Sequence, residues 1–368
     1  MSDYFGKDTP KLGFGLMRLP RKGLGIDVEQ VKQMVDLFLE SGFTYFDTAY
    51  VYLGSENAAR KALVERYPRE SYTLATKINA AMAPTEKAAK QQFQTSLKRT
   101  GAEYFDYYLL HALMENNYTR YDKFHLWDFA QEQKAKGLIK HVGFSFHAGP
   151  ELLDKLLTAH PEVDVVLMQL NYLDWESEGI QSRKCYETCL RHGKSVMVME
   201  PVKGGTLAKL PDDAEAKLRL RHPDWTPSDW ALRFVQSLPG VEICLSGMGA
   251  VEQVQSNIQP FEPLTAKETA LLAEVAEIIR GKTAIGCTGC GYCVNHCPKQ
   301  IPIPKYIKLY NEITRYPGDD WKIIPTYHQM ALSAGKASDC IGCHSCEKHC
   351  PQKLTISEQM KTITQRFE

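Results

Sequence analysis

The chain has 368 residues, 43% hydrophobic and 24% charged, with 44 Lys+Arg against 44 Asp+Glu. That composition excludes a disordered or collagen-like chain, and the zero formal net charge provides no broad electrostatic footprint for nucleic acid or an anionic membrane. No apolar stretch approaches the roughly 20 residues that span a bilayer, and residues 1–10 are polar without an apolar signal core, so a cytoplasmic protein is expected.

The length fits two domains of roughly 150 residues, or a (β/α)8 barrel of about 250 with a smaller module. Short apolar runs at residues 12–16, 44–46, 72–76, 107–110, 139–144, 163–170, 195–199 and 241–245 are predicted strands. Several are continuous rather than alternating, as strands buried on both faces require. Helical patterns lie between them. Asp27 caps a predicted helix over 28–40, which Gly42 closes, and Thr85 caps another over 86–99, with Gly101 after it. Further helices are predicted over 122–136, 150–157, 180–191, 227–238 and 265–280, several ending at or near glycine. This alternation predicts an α/β fold, a (β/α)8 TIM barrel. A doubly wound sheet is the competitor. Gly13-Phe14-Gly15 lacks its third glycine, however, and runs into Met17-Arg18-Leu19-Pro20 rather than a helix, so these glycines read as turn chemistry. After Gly281 the composition shifts to Cys, Gly and Pro. The boundary is placed there, giving a barrel over 1–281 and a small, mainly helical domain over 282–368.

The 11 cysteines are unevenly spread: Cys185, Cys189 and Cys244 precede residue 287, and the other eight follow. Eight clustered cysteines without an export signal read as metal ligands rather than disulfides. They form two C-x2-C-x2-C-x3-C-P runs, Cys287/Cys290/Cys293/Cys297-Pro298 and Cys340/Cys343/Cys346/Cys350-Pro351. In two-cluster ferredoxins the fourth cysteine of each run ligates the other cluster. On that rule Cys287, Cys290, Cys293 and Cys350 hold one [4Fe–4S] cluster, and Cys340, Cys343, Cys346 and Cys297 hold the second. Two zinc sites are the alternative, but zinc ligands usually come in C-x2–4-C pairs. The 42 residues between Cys297 and Cys340, with helical stretches over 305–315 and 327–333, resemble the all-helical two-cluster ferredoxin modules of larger redox enzymes. Paired clusters read as an electron relay; a structural staple needs only one. His296, His344 and His349 read as surface residues or sulfur hydrogen-bond donors, and the three early cysteines as inert core.

Barrel active sites lie at the C-terminal ends of the strands. Asp47, Lys77 and His111 end predicted strands, and Tyr52 follows Asp47 in the next loop. A tyrosine with an ordinary pKa near 10 is a poor proton donor at neutral pH; a neighbouring Lys ammonium stabilises the phenolate. Asp47 would keep that lysine charged, and His111 would orient a carbonyl.

Asp47-Thr-Ala-Tyr-Val-Tyr52, Lys77 and Leu-Leu-His111 together resemble the catalytic tetrad of the aldo-keto reductases. Gly137-Leu-Ile-Lys-His-Val-Gly-Phe-Ser145, Gln169 and Pro201-Val-Lys-Gly-Gly-Thr-Leu207 resemble later motifs of that family. The resemblance covers about residues 10–260, and the whole chain resembles ferredoxin-fused members. It implies Tyr52 as proton donor, Lys77 and Asp47 as its tuning pair, and His111 as substrate orienter. Ser145 and Gln169 would hold a nicotinamide amide. Met199 falls where the family stacks an aromatic ring, and Phe146 where it commonly has Asn. Gly247 and Gln253 replace basic residues that would hold an adenosine 2′-phosphate. Ser246, Gly247, Met248 and Asn257 are left for the pyrophosphate or adenosine. The implied cofactors are NAD(P)H and two [4Fe–4S] clusters. The implied partners are a small carbonyl or alcohol substrate and an electron-transfer protein. Hydride moves two electrons at once whereas each cluster moves one, a conversion that flavins perform. A flavin in the altered pocket is therefore the second expectation. A third is a non-catalytic electron-transfer or interaction protein with the barrel as scaffold, against which the intact tetrad counts. The loops at 114–121, 173–179 and 207–213 carry no clear charge pattern that would name a substrate.

Overall fold

A computed structural model of the chain describes residues 10–177, 180–315 and 320–368. The polar stretch up to residue 9 and the end of the 173–179 loop lie outside the described residues. Eight parallel strands close into a barrel. In chain order they are β1 (Leu12–Gly15), β2 (Tyr45–Asp47), β3 (Thr73–Ile78), β4 (Phe105–Leu113), β5 (Ile139–Phe146), β6 (Val165–Gln169), β7 (Ser195–Met199) and β8 (Val241–Ser246). Each pairs with its sequence neighbour and β1 pairs with both β2 and β8, so no edge is left open.

The predicted apolar runs become these strands because both their faces are covered. All residues of β4 and β6 are buried. Tyr45, Tyr107, Leu109, Val165, Leu167, Met197, Ile243 and Leu245 fill the barrel interior. The crowding explains two strand glycines. A Cβ at Gly13 would stand 2.7 Å from Leu245 Cδ2, and one at Gly143 would stand 2.4 Å from the Val165 carbonyl oxygen.

The predicted caps form. Asp27 accepts from the Gln30 amide ahead of the helix Val28–Glu40, and Thr85 from the Ala88 amide ahead of Glu86–Thr100, which Gly101 ends in a left-handed conformation. The expected single helix over 122–136 is instead two, Tyr118–Lys123 and Leu126–Ala135, because His125 turns to a φ of 48° between them. A helix at Ser55–Ala59 continuing as a π-turn over Arg60–Val64 was not expected, nor was a short hairpin pairing Arg21–Lys22 with Gly25–Ile26.

The chain divides into two compact units. One comprises the chain up to Asn171, Gln181–Pro201 and Ala231–Leu264, and holds all eight strands; the other comprises Tyr172–Ile180, Val202–Trp230 and Thr265–Glu368. In the second unit, Ala266–Lys282 starts with a Thr265/Glu268 capping box. Helices Ile303–Arg315, Asp320–Ala331 and Ile356–Phe367 follow. Ile301, Tyr306, Tyr327, Ile356, Met360 and Phe367 build a core against which six of the eight late cysteines pack or in which they lie. No helix among the described residues is long and apolar enough to cross a membrane.

Candidate active site and cluster cavities

The strand ends bring the four tetrad residues together. Lys77, on β3, donates to Asp47 Oδ1 on β2 at 2.5 Å and to the Thr48 carbonyl at 2.7 Å, and both side chains are buried. Tyr52 sits on a turn closed by its own amide bonding to the Ala49 carbonyl (3.0 Å) and its carbonyl accepting from the Ser55 amide (3.0 Å). Ser55 ties that turn to the barrel by donating to the Leu16 carbonyl at 2.9 Å. The turn holds the Tyr52 ring centroid 5.0 Å from Lys77 Nζ and 5.6 Å from the His111 ring, nearly perpendicular at 83°. His111 lies on β4 just before Ala112, whose φ is 58°, in a stretch where the register with β5 shifts. A bulge of this kind re-aims a strand side chain.

Burial pushes the Asp47 carboxyl up and the Lys77 ammonium down; their mutual attraction opposes both shifts. Each ion therefore persists only with its partner. Burial, and then Lys77, hold the His111 imidazole well below its usual range, and burial pushes His147 down to about 4. Both rings are neutral at pH 7 in the folded chain. The unfolded chain protonates them below about 6.5, so stability falls as pH drops from there toward 4. The urea midpoint of the cluster-loaded protein is expected to be lower at pH 5.5 than at 7.5. An unchanged midpoint would contradict the burial of these imidazoles.

The expected cofactor residues lie along the later strand ends. Ser145 Oγ accepts from the Ala112 amide at 2.6 Å, which leaves its own proton to donate. Gln169 donates Nε2–H to Glu200 Oε2 at 3.1 Å and holds Oε1 3.4 Å from His147 Nδ1. Glu200 escaped sequence reasoning. It follows Met199 directly, adopts a φ of 56°, and accepts at its carbonyl from Asn171 Nδ2 at 3.2 Å. Met199 ends β7 half-buried beside the interior cluster. After β8, Asn257 donates to Ser246 Oγ at 2.7 Å and Gln253 Oε1 accepts from the Gly249 amide at 2.7 Å. Met248, expected at the cofactor, is fully buried, so it offers no open surface to a ligand. Arg18, to which the sequence assigned no role, lies against this loop: its Cδ would be 3.6 Å from a Cβ at Gly247, and its carbonyl oxygen 3.0 Å from one at Gly249.

The eight late cysteines ring two cavities. Cys287, Cys290, Cys293 and Cys350 line one, with Ile303, Ile307 and Ile356. Cys297, Cys340, Cys343 and Cys346 line the other, with Ile301 and Met360. These are the crossed sets expected from the spacing, and Ile303 and Ile356 stand in the wall of both. Among the described residues no three His, Cys, Asp or Glu side chains converge as ligands of a single ion. Burial raises the Cys293 thiol to about 12 and Cys346 to about 11, so ionisation of these thiols is coupled to metal binding. His296 and His349, at matching offsets in the two runs, stack at 3.4 Å. Cys185, Cys189 and Cys244 are buried, and burial pushes the Cys189 and Cys244 thiols far up, as inert core residues.

Comparison with known proteins fits this geometry. The aldo/keto reductase family profile matches residues 11–277, well over half of the chain. The chain belongs to the aldo/keto reductase family. A 4Fe-4S dicluster domain follows, matched over residues 286–355. An aldo-keto reductase of Mycolicibacterium smegmatis is 28% identical over 152 residues, covering 41% of this chain and about half (51%) of that relative. One of Mycolicibacterium vanbaalenii is 28% identical over 267 residues, covering 69% of this chain and 87% of the relative. Among solved structures, the holo form of an aldo-keto reductase from Bacillus halodurans superposes with a TM-score of 0.59 at 26% identity, covering 72% of this chain and 91% of that one. An aldo-keto reductase from Klebsiella pneumoniae in complex with NADPH shares the fold, with a TM-score of 0.61 at 21% identity over 73% of this chain and 91% of its own. The aldo-keto reductase domain of this chain is thus an oxidoreductase barrel, followed in sequence by a dicluster domain.

Proposed function

We propose that this aldo-keto reductase interconverts a small carbonyl compound and its alcohol, and that its clusters exchange single electrons with a redox partner. The buried Lys77–Asp47 pair under Tyr52, with His111 across the ring, carries the reading. Tyr52 passes its phenolic proton to the carbonyl oxygen. The Lys77 ammonium stabilises the phenolate left behind, and Asp47 keeps that ammonium charged. Neutral His111 hydrogen-bonds the carbonyl and fixes its angle. Bound nicotinamide dinucleotide supplies hydride. The Ser145 hydroxyl and Gln169 Oε1 would hold its amide, with Glu200 fixing which face of Gln169 is the acceptor. Ser246, Gly247, Gln253 and Asn257 would receive the adenosine and phosphates, with Arg18 as the nearby cation. The Klebsiella neighbour, solved with NADPH, supports a nicotinamide in this fold.

In the second domain, placed at 282–368, Cys287, Cys290, Cys293 and Cys350 would hold one [4Fe–4S] cluster and Cys340, Cys343, Cys346 and Cys297 the other. Four thiols around each apolar-walled cavity fit such cubes.

Deuterium tracing tests the reading. Cluster-loaded protein is given nicotinamide dinucleotide (NADPH and NADH separately) deuterated at C4, with a panel of aldehydes and ketones. Deuterium is expected on the carbinol carbon. Label lost to solvent, together with a flavin released on denaturation, would overturn the nicotinamide mechanism in favour of a flavin.

A further inference from the structure

The second unit contains a buried polar chain that neither the tetrad nor the cysteine motifs use. Lys203 is buried, at a φ of 46°. Its Nζ donates to Asp174 Oδ1 at 2.6 Å, to Oδ2 at 2.7 Å, and to Gln352 Oε1 at 2.9 Å. Gln352 follows Cys350-Pro351 and lines the cavity ringed by Cys287, Cys290, Cys293 and Cys350. Its Nε2 is buried and has no hydrogen-bond acceptor among the described residues.

We propose that Gln352 donates its side-chain N–H to the sulfur of the cluster in this cavity, and that Lys203, braced by Asp174, is the positioning residue that fixes the amide for it. The proposal rests on the assignment of that cluster to these four cysteines. The orientation of the amide is set chemically. A lysine ammonium has only donors, so the amide oxygen must face Lys203 and the NH2 must face away. A buried N–H left without an acceptor forfeits its hydration with nothing in return. Thiolate and sulfide sulfurs of a cluster are anionic acceptors in the same cavity. Lys203 is itself neutralised by both Asp174 oxygens, so its role is steric and directional more than that of a free charge.

The backbone brings these parts close together. A Cβ at Gly204 would lie 2.1 Å from the carbonyl oxygen of Thr288, the residue after Cys287, and Gly204 has a φ of 64°. Only glycine lets the Lys203 loop approach the ligand loop this closely. Hydrogen bonds to cluster sulfur favour the more negative, reduced state and raise its potential.

Redox titration followed by electron paramagnetic resonance tests this. In Gln352→Leu, one of the two cluster midpoints is expected to move negative by about tenfold in the reduced-to-oxidised ratio, ~59 mV for a one-electron couple. The other should stay in place. Lys203→Met should move the same midpoint in the same direction. Both midpoints unchanged in Gln352→Leu would overturn the proposal. Should that variant lose its cluster, wild-type protein labelled with ¹⁵N at the glutamine side-chain amide decides. Pulsed spectroscopy of the reduced clusters should find a ¹⁵N coupling, and its absence from fully loaded protein would overturn the role of Gln352. Mössbauer spectra of the same sample showing no [4Fe–4S] signal would instead overturn the cluster assignment.

Discussion

Tyr52→Phe is expected to lower kcat for carbonyl reduction by about 10²–10⁴-fold. The substitution removes the phenolic hydroxyl and with it the proton. The phenyl ring keeps its place beside Lys77 and perpendicular to His111, because the turn that holds it is made by backbone bonds of Ala49 and Ser55. The fold is expected to be retained, because the ring and the turn that carries it are unchanged. His111 cannot stand in as donor at neutral pH, since burial keeps it deprotonated. Steady-state kinetics with a thermal melt checks both halves. Undiminished turnover in Tyr52→Phe, with electron flow abolished by cysteine substitutions, would make the barrel a scaffold rather than a catalyst.

Cys350→Ser is expected to abolish the cluster associated with the first cysteine run, although Cys350 belongs to the second. Cys297→Ser should abolish the other. The cavities pair Cys350 with Cys287, Cys290 and Cys293, and Cys297 with Cys340, Cys343 and Cys346. Each substitution should cut iron from about eight atoms per chain to about four. The residual spectra identify the cluster lost. Cys350→Ser should match Cys290→Ser, and Cys297→Ser should match Cys343→Ser. The opposite match would show that each run keeps its own fourth cysteine.

Much of this was legible in the sequence because it depends on local pattern. The strands were found because they are continuous apolar runs between capped helices, and the tetrad because the ends of such strands converge in a barrel. The crossed cysteine sets were legible because three closely spaced thiols leave one corner of a cube for a distant fourth. What escaped depends on tertiary contact or on weak local signals. The helix at Ser55 starts after Gly54 without a side-chain cap and tightens no recognisable pattern before its π-turn. Glu200 acquires its role only by meeting Gln169 from the neighbouring strand. Gln352 meets Lys203 across 149 positions of sequence. Arg18 carries no local signal, and only the fold brings it against Gly247 and Gly249. The 122–136 pattern was apolar enough for one helix, and only the backbone reversal at His125 breaks it.

On the proposed function, one chain joins a hydride-transfer barrel to two one-electron centres. The most direct measurement is analysis of anaerobically purified protein for metal, acid-labile sulfide and organic cofactor. The account predicts about eight iron and eight sulfide per chain, a broad absorbance near roughly 400 nm, and no flavin released on denaturation. A colourless protein holding zinc, or one that releases a stoichiometric flavin, would contradict it.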